Sequence, residues 1–137
     1  MHALKIIFAA AILSSCGPTI APHTLNQDQE HVLNHVVLKV LEKTGVDMSG
    51  VSVNTDLDIV CNDPMMYGCA SANDVLIKRV YSEVDPVHEK IKGQTFCTVL
   101  VHELMHSVLM IQGKDADENH SDRDLFFGFP VRVCNEL

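Results

Sequence analysis

QTFCTVLVHELMHSVLMIQ, residues 94–112, is the longest apolar-rich stretch of the chain after its N-terminus. Gly113 follows it as a natural stop, so we predict a long helix over this stretch. Three titratable side chains, His102, Glu103 and His106, interrupt the apolar run. Such groups are costly to bury without a partner, and a bound metal ion is an economical partner for all three.

The pentad His102-Glu103-Leu104-Met105-His106 has the spacing of a metal-binding helix. Residues four apart lie on one helix face, so two imidazoles can bind one zinc ion at about 2.0–2.1 Å. Glu103 is offset by one residue, and its carboxylate can reach a metal-bound water without itself being a ligand. We therefore predict one Zn²⁺ ion held by His102 and His106, with Glu103 as general base and acid. The alternative is a pair of core histidines hydrogen-bonded to the backbone.

This pentad resembles the active-site helix of the zincin metallopeptidases, and the order of strands then helix from Val51 to Gly113 is loosely similar. The resemblance implies a zinc hydrolase that cuts peptide bonds in a cleft above the helix. It also implies an edge strand that holds the substrate by main-chain pairing. Either Met66–Ser71 or Val75–Val80 could be that strand.

The third zinc ligand is open. The metzincin extension of the pentad would need Gly at Leu109 and His at Gln112, and neither is present. We favour His120, because a loop returns after Gly113 and the sequence NHSD presents an imidazole between small and polar neighbours. It looks like the third metzincin His on a lengthened loop. The alternatives, by likeness to other zincin subclasses, are Asp122, Asp124 and Glu118.

Other histidines and tyrosines receive weaker assignments. His31 and His35 are also four apart, but Val32 replaces the acid and the surrounding stretch is polar, so we place the pair on a solvated face. Tyr67 and Tyr81 are candidates for stabilising an oxyanion, and ordinary strand residues otherwise.

The N-terminal stretch MHALKIIFAAAILSSC has the proportions of a secretory signal. Leu13-Ser14-Ser15-Cys16 resembles the lipobox of bacterial lipoproteins, which implies cleavage before Cys16 and lipidation of its thiol. We expect a signal peptide over 1–15, a tether over 16–24 and a domain over 25–137. Gly17 follows the cysteine, which by resemblance favours the outer membrane and a domain that faces the periplasm.

Export changes the interpretation of the four remaining cysteines. An even number in a small exported domain indicates disulfides. We favour two bridges, Cys61–Cys69 and Cys97–Cys134, over zinc binding by thiolates, since the chain has no CxxC pair.

The expected fold is α+β, a small zincin-like domain with an N-terminal helix, a short mixed sheet and the long helix of the pentad. Periodicity predicts a helix over Leu25–Thr44 and a strand over Val51–Val60, in addition to the two candidate edge strands. Asp85 and Pro86 indicate a short helix that ends near Gly93.

Composition limits the partners. The 137 residues carry a net charge of −8, have no Trp and contain no basic cluster. Nucleic acid and anionic lipid surfaces are therefore poor partners. We expect a monomer with a peptide or protein substrate, held to the membrane by its N-terminal lipid. The alternatives are a non-catalytic, zinc-stabilised envelope binding lipoprotein, and an envelope interaction protein in which the pentad is accidental.

Overall fold

Three α-helices and a three-stranded mixed sheet form the part of the chain that the computed structural model describes, residues 25–137. In chain order the elements are α1 (Gln27–Thr44), β1 (Ser52–Asn54), β2 (Gly68–Ala70), β3 (Asp74–Ile77), a 3-10 turn (Arg79–Ser82), α2 (Phe96–Ile111), a π-turn (Asp124–Gly128) and α3 (Phe129–Cys134). The predicted α+β class is confirmed. Of the helices described, none is both long and apolar enough to cross a bilayer. The signal peptide, the tether and Cys16 lie outside the described residues.

The predicted N-terminal helix is confirmed as α1. The Asn26 side chain caps its first turn and Gln29 completes the capping box. Gly45 ends the helix with a positive φ of 76°, a conformation that glycine adopts without steric cost. Val32, Val36 and Val40 form its buried stripe, which packs towards α2.

The sheet has the strand order β1-β3-β2. β3 lies in the centre, parallel to β1 and antiparallel to β2, so β2 is an edge strand beside α2. The Ser71 N–H donates to the oxygen of Asp74, and the Tyr67 oxygen accepts from the N–H of Lys78, so both residues face the β3 side. Because main-chain groups alternate in an antiparallel pair, the N–H and C=O groups of Gly68 and Ala70 point to the outer edge.

The first strand is shorter than predicted. Only Ser52–Asn54 pairs with β3, whereas the alternation in the sequence indicated a strand over Val51–Val60. The Asn54 side chain accepts a hydrogen bond from the N–H of Asp56 at 2.7 Å, which turns the chain away from the sheet. The polar residues that alternate after Asn54 therefore belong to a loop.

The predicted helix from Asp85 to Gly93 is wrong. Asp85 does cap a turn, since its Oδ1 accepts hydrogen bonds from the N–H groups of Val87 and His88 at 2.9 and 2.8 Å. The turn does not continue, because Ile91 and Gln94 pair in an isolated antiparallel bridge. Asp85 is thus a capping residue, as predicted, but no helix follows it.

Helix α2 lies at the centre of the domain. Thr95 caps it through its hydroxyl, and Thr98 completes the capping box. The helix packs against α1, α3, β2 and β3, so nearly all of its faces are covered. This explains why residues of the apolar run are buried on several sides rather than along one stripe.

Both predicted disulfides are present. Cys61–Cys69 joins the loop after β1 to the edge strand β2. Cys97–Cys134 joins the first turn of α2 to the end of α3. Each bridge therefore secures an element that flanks the pentad.

Candidate metal centre

Three histidine side chains converge above the middle of α2. The Nε2 atom of His120 lies 3.1 Å from the Nε2 atoms of both His102 and His106. Among residues 25–137, these three form the group whose ligand atoms all lie within 4.8 Å of one another. The structure thus brings His120 to the pentad as expected.

The other ring nitrogen of each pentad histidine is held by a backbone carbonyl. His102 Nδ1 lies 2.9 Å from the oxygen of Phe126, and His106 Nδ1 lies 2.6 Å from the oxygen of Ala116. A carbonyl can only accept a hydrogen bond, so both Nδ1 atoms carry the proton. Both Nε2 atoms consequently present lone pairs towards His120.

This arrangement fits a cation better than a set of hydrogen bonds. A neutral His120 has at most one proton on Nε2, yet two lone pairs face that atom at the same distance. At least one pair of nitrogens would be in repulsive contact. A divalent ion between the three nitrogens removes the conflict.

The distances also fit the ion. Nitrogens bound at about 2.0–2.1 Å around a tetrahedral zinc lie about 3.3 Å apart, close to the observed 3.1 Å. Burial lowers the pKa of His102 to about 4, and burial followed by the charge of His106 lowers the pKa of His120. Both shifts favour the neutral form of His102 and His120, which is the form that metals bind.

Phe126 supports all three imidazoles, which we did not predict from the sequence. Its ring centroid lies 5.3, 4.4 and 5.0 Å from those of His102, His106 and His120, and its side chain is buried. In a regular helix its carbonyl would accept from the residue four positions later, which is Pro130 and has no N–H. This frees the oxygen for His102.

His120 is held by the loop that precedes it. Its backbone has a positive φ of 53°, and its N–H donates to the oxygen of Asp117 at 2.8 Å. The Asp117 carboxylate accepts from the backbone N–H groups of Ser121 and Asp122 and from the Ser121 hydroxyl. These hydrogen bonds lower the pKa of Asp117 to about 2. The carboxylate therefore orders the loop rather than facing the histidines.

The alternative third ligands have other roles. Asp124 forms a two-bond pair with Arg132, at 2.7 and 2.9 Å, and Asp122 caps the N–H of Leu125. Within the described chain no carboxylate oxygen joins the histidine group.

Glu103 is a buried carboxylate beside this group. It is 7% exposed, and no donor among residues 25–137 forms a hydrogen bond with its oxygens. Burial, and then the charge of Glu118, raise its pKa to about 8. An isolated buried carboxylate is costly, so its placement calls for a water or cation in the adjoining space.

That space is a cavity of about 210 Å³. Three residues of the candidate site line it: His102, Glu103 and His120. The rest of its lining consists of Tyr67, Gln94, Val99 and Phe127. Tyr67 thus remains beside the site. Tyr81 does not serve it, because its side chain is buried and its hydroxyl donates to the oxygen of Ile91 at 3.0 Å. Burial raises the pKa of Tyr81 to about 12.

The second histidine pair is not part of the centre. His31 is exposed as predicted. His35 is half-buried, and its Nε2 donates to the oxygen of Val133 at 3.2 Å, so the prediction of a solvated face is wrong for this residue. Its role is to join α1 to α3.

Comparison with known proteins adds no further constraint on this site: no family model matches the chain, and neither a curated protein nor a solved structure is significantly similar to it.

Proposed function

We propose that this protein is a zinc-dependent peptidase with a zincin-like active site. One observation carries the proposal: three imidazole Nε2 atoms converge, and a buried, unpartnered carboxylate lines the same cavity as two of those imidazoles, His102 and His120. Structural zinc sites have four protein ligands, whereas catalytic sites keep a position open. Three histidines and a separate carboxylate match the second kind.

His102, His106 and His120 would hold the ion. Neutral imidazoles suit zinc, and backbone carbonyls behind two of them hold the tautomer that binds metal. When bound, zinc would supply Lewis acidity and lower the pKa of a coordinated water towards about 7.

Glu103 would move the proton. Burial raises the pKa of Glu103 to about 8, and a divalent ion held by the three histidines would lower it again. The carboxylate would then be ionised near neutral pH and able to accept a proton. It can take a proton from the attacking water and pass it to the leaving amine. Its burial also excludes bulk water from that transfer.

Strand β2 would hold the substrate. β3 is paired on both sides, so of the two candidate edge strands only Met66–Ser71 offers an open edge on the α2 side. Gly68 lies directly above Glu103, since a Cβ at this position would be 3.0 Å from Glu103 Cγ. Gly68 is itself buried and Ala70 is half-buried, so an extended peptide would pair at Ala70, next to the contact between Gly68 and Glu103.

We also propose that the protein acts in the bacterial cell envelope, anchored by lipid at Cys16. The lipobox-like sequence supports the anchor, and two disulfides are typical of an oxidising compartment. An outer-membrane location on the periplasmic side follows from Gly17 by the same resemblance.

The test is Glu103→Gln in the full chain. The variant should bind one zinc per chain as the parent does, yet lose peptide hydrolysis by roughly 100-fold or more. Glu89→Gln, at an exposed position outside the cavity lining, is the matched control and should stay active. Undiminished hydrolysis by Glu103→Gln would refute the mechanism. If the parent protein bound one zinc per chain but did not hydrolyse peptides, the alternative of a non-catalytic, zinc-stabilised binding lipoprotein would be favoured.

A further inference from the structure

Five large apolar side chains are exposed around one end of the sheet. Met65 is 74% and Ile59 52% exposed. We define the apolar patch as Leu57, Ile59, Met65, Met66 and Val80. Ordinary exposed leucines are scattered singly, whereas a contiguous apolar patch usually marks a contact surface.

Backbone hydrogen bonds hold the segments of the patch together. The N–H of Arg79 donates to the oxygen of Leu57 at 2.8 Å, and Lys78 Nζ donates to the oxygen of Pro64 at 2.8 Å. The loops before β2 and the turn after β3 therefore form one surface. Arg79 also pairs with Asp58, so the patch carries no free basic cluster.

The apolar patch lies beside the point where the described chain begins. Gln29, in the first turn of α1, donates through Nε2 to the oxygen of Ser82 at 3.2 Å. Ser82 ends the 3-10 turn that carries Val80. The first residues that the structure describes therefore lie beside the turn that carries Val80.

The length of the chain that precedes residue 25 limits how far the domain can lie from its anchor. Residues 16–24 span at most about 30 Å when fully extended. A domain of about 110 residues has a radius of gyration of about 13 Å. A lipid at Cys16 would keep the domain against the bilayer, with the side that carries residue 25 nearest to the membrane.

We infer that the apolar patch docks into the interfacial layer of the bilayer that carries the anchor. This inference rests on the lipid anchor proposed above. Aliphatic and thioether side chains without a basic cluster favour insertion between headgroups over attraction to anionic lipid. Met66 is next to Tyr67 of the cavity, so docking places the cleft close to the membrane. The substrates would be extended peptide segments near the bilayer surface.

The chain has no Trp, which makes a single substitution a clean reporter. Met65→Trp and Ile59→Trp test the patch, and Leu38→Trp, 59% exposed on α1, is the matched control. The full chain, purified with its anchor, is placed in phosphatidylcholine vesicles that contain a spin-labelled quencher lipid. We expect blue-shifted emission and at least twofold stronger quenching for both patch variants than for Leu38→Trp.

Equal quenching of patch and control variants would overturn the inference. Blue-shifted emission of a Cys16→Ser form without vesicles would also overturn it. If that blue shift depended on protein concentration, a second copy of the chain would be covering the patch. If it did not, residues 1–24 of the same chain would be covering it. Failure of the parent chain to bind vesicles would overturn the anchor and the docking together. Glu103→Gln should dock on the vesicles as the parent protein does. The docking test therefore remains valid even if the proposed peptidase activity is refuted.

Discussion

The Nδ1–H of His102 donates to the carbonyl oxygen of Phe126 at 2.9 Å, across 24 residues of sequence. This bond ties the first pentad histidine to the C-terminal segment. The same segment places the Phe126 ring against all three imidazoles. The orientation of the three histidines therefore depends on the segment around Phe126, which contains none of them.

Pro130→Ala should weaken zinc binding. The substitution introduces an N–H four residues after Phe126, which would compete with His102 for the carbonyl. Loss of a partner behind a metal ligand typically lowers affinity by about 10-fold or more. Competition titration against a zinc chelator measures this, with Val131→Ala, at an exposed position, as the control. The assigned role of Pro130 would be wrong if the two variants bound zinc equally well.

Zinc should be retained well below pH 6.5. Protons and metal compete for the same Nε2 lone pairs, so a lowered histidine pKa reduces proton competition. The pKa of His102 is lowered to about 4 by burial, and that of His120 is also lowered. Affinity should thus change little from pH 8 to about 6 and fall at more acidic pH. Equilibrium dialysis against zinc at a series of pH values provides the check; release centred at pH 6.5 or higher would contradict it.

Ala70→Pro should impair substrate binding without unfolding the domain. The Ala70 N–H points to the open edge of β2, where proline is tolerated. Loss of one main-chain hydrogen bond to the substrate predicts a decrease in kcat/KM of about 3- to 10-fold. Ser71→Pro is the contrasting variant, because the Ser71 N–H donates to the oxygen of Asp74 inside the sheet. Thermal unfolding should show a clear loss of stability only for Ser71→Pro, and the opposite order would refute the assigned edge.

Gly68→Ala should lower both stability and activity. An added Cβ would lie 2.8 Å from the backbone oxygen of Leu76 and 3.0 Å from Glu103 Cγ, so β2 and α2 must separate. Overpacking of this kind costs about 1–3 kcal/mol. Urea unfolding and kcat of the same preparation measure the two effects. Gly50→Ala, with nothing within 4 Å and no positive φ, should leave both unchanged. A fully stable and active Gly68→Ala would show that the contact is not tight.

Patterns within the sequence predicted the elements that depend on local periodicity and side-chain type. The helical spacing of Leu33, Val36, Val37, Val40 and Leu41 predicted α1. The spacing of His102 and His106 predicted a shared helix face. The length of β1 and the turn after Asp85 were not predicted, because hydrogen bonds that the Asn54 and Asp85 side chains accept from nearby backbone N–H groups decided them. Such bonds compete with regular structure and leave no periodic pattern.

The candidate site divides in the same way. Its histidines and Glu103 were predictable because the chemistry needs those residue types. The carbonyls of Phe126 and Ala116 were not, since every residue has a carbonyl and only the fold selects these two. Pro130 could have suggested a free oxygen at Phe126, but nothing in the sequence says which donor fills it.

The bridge between Cys97 and Cys134 fastens the C-terminal segment with Phe126 to the helix that carries the pentad. In a reducing compartment, where thiols stay reduced, that fastening would be missing and the three histidines would be loosely assembled. Under the export proposed above, newly made chains would mature only outside the cytosol. Cytosolic proteins would then not be exposed to the proposed peptidase activity.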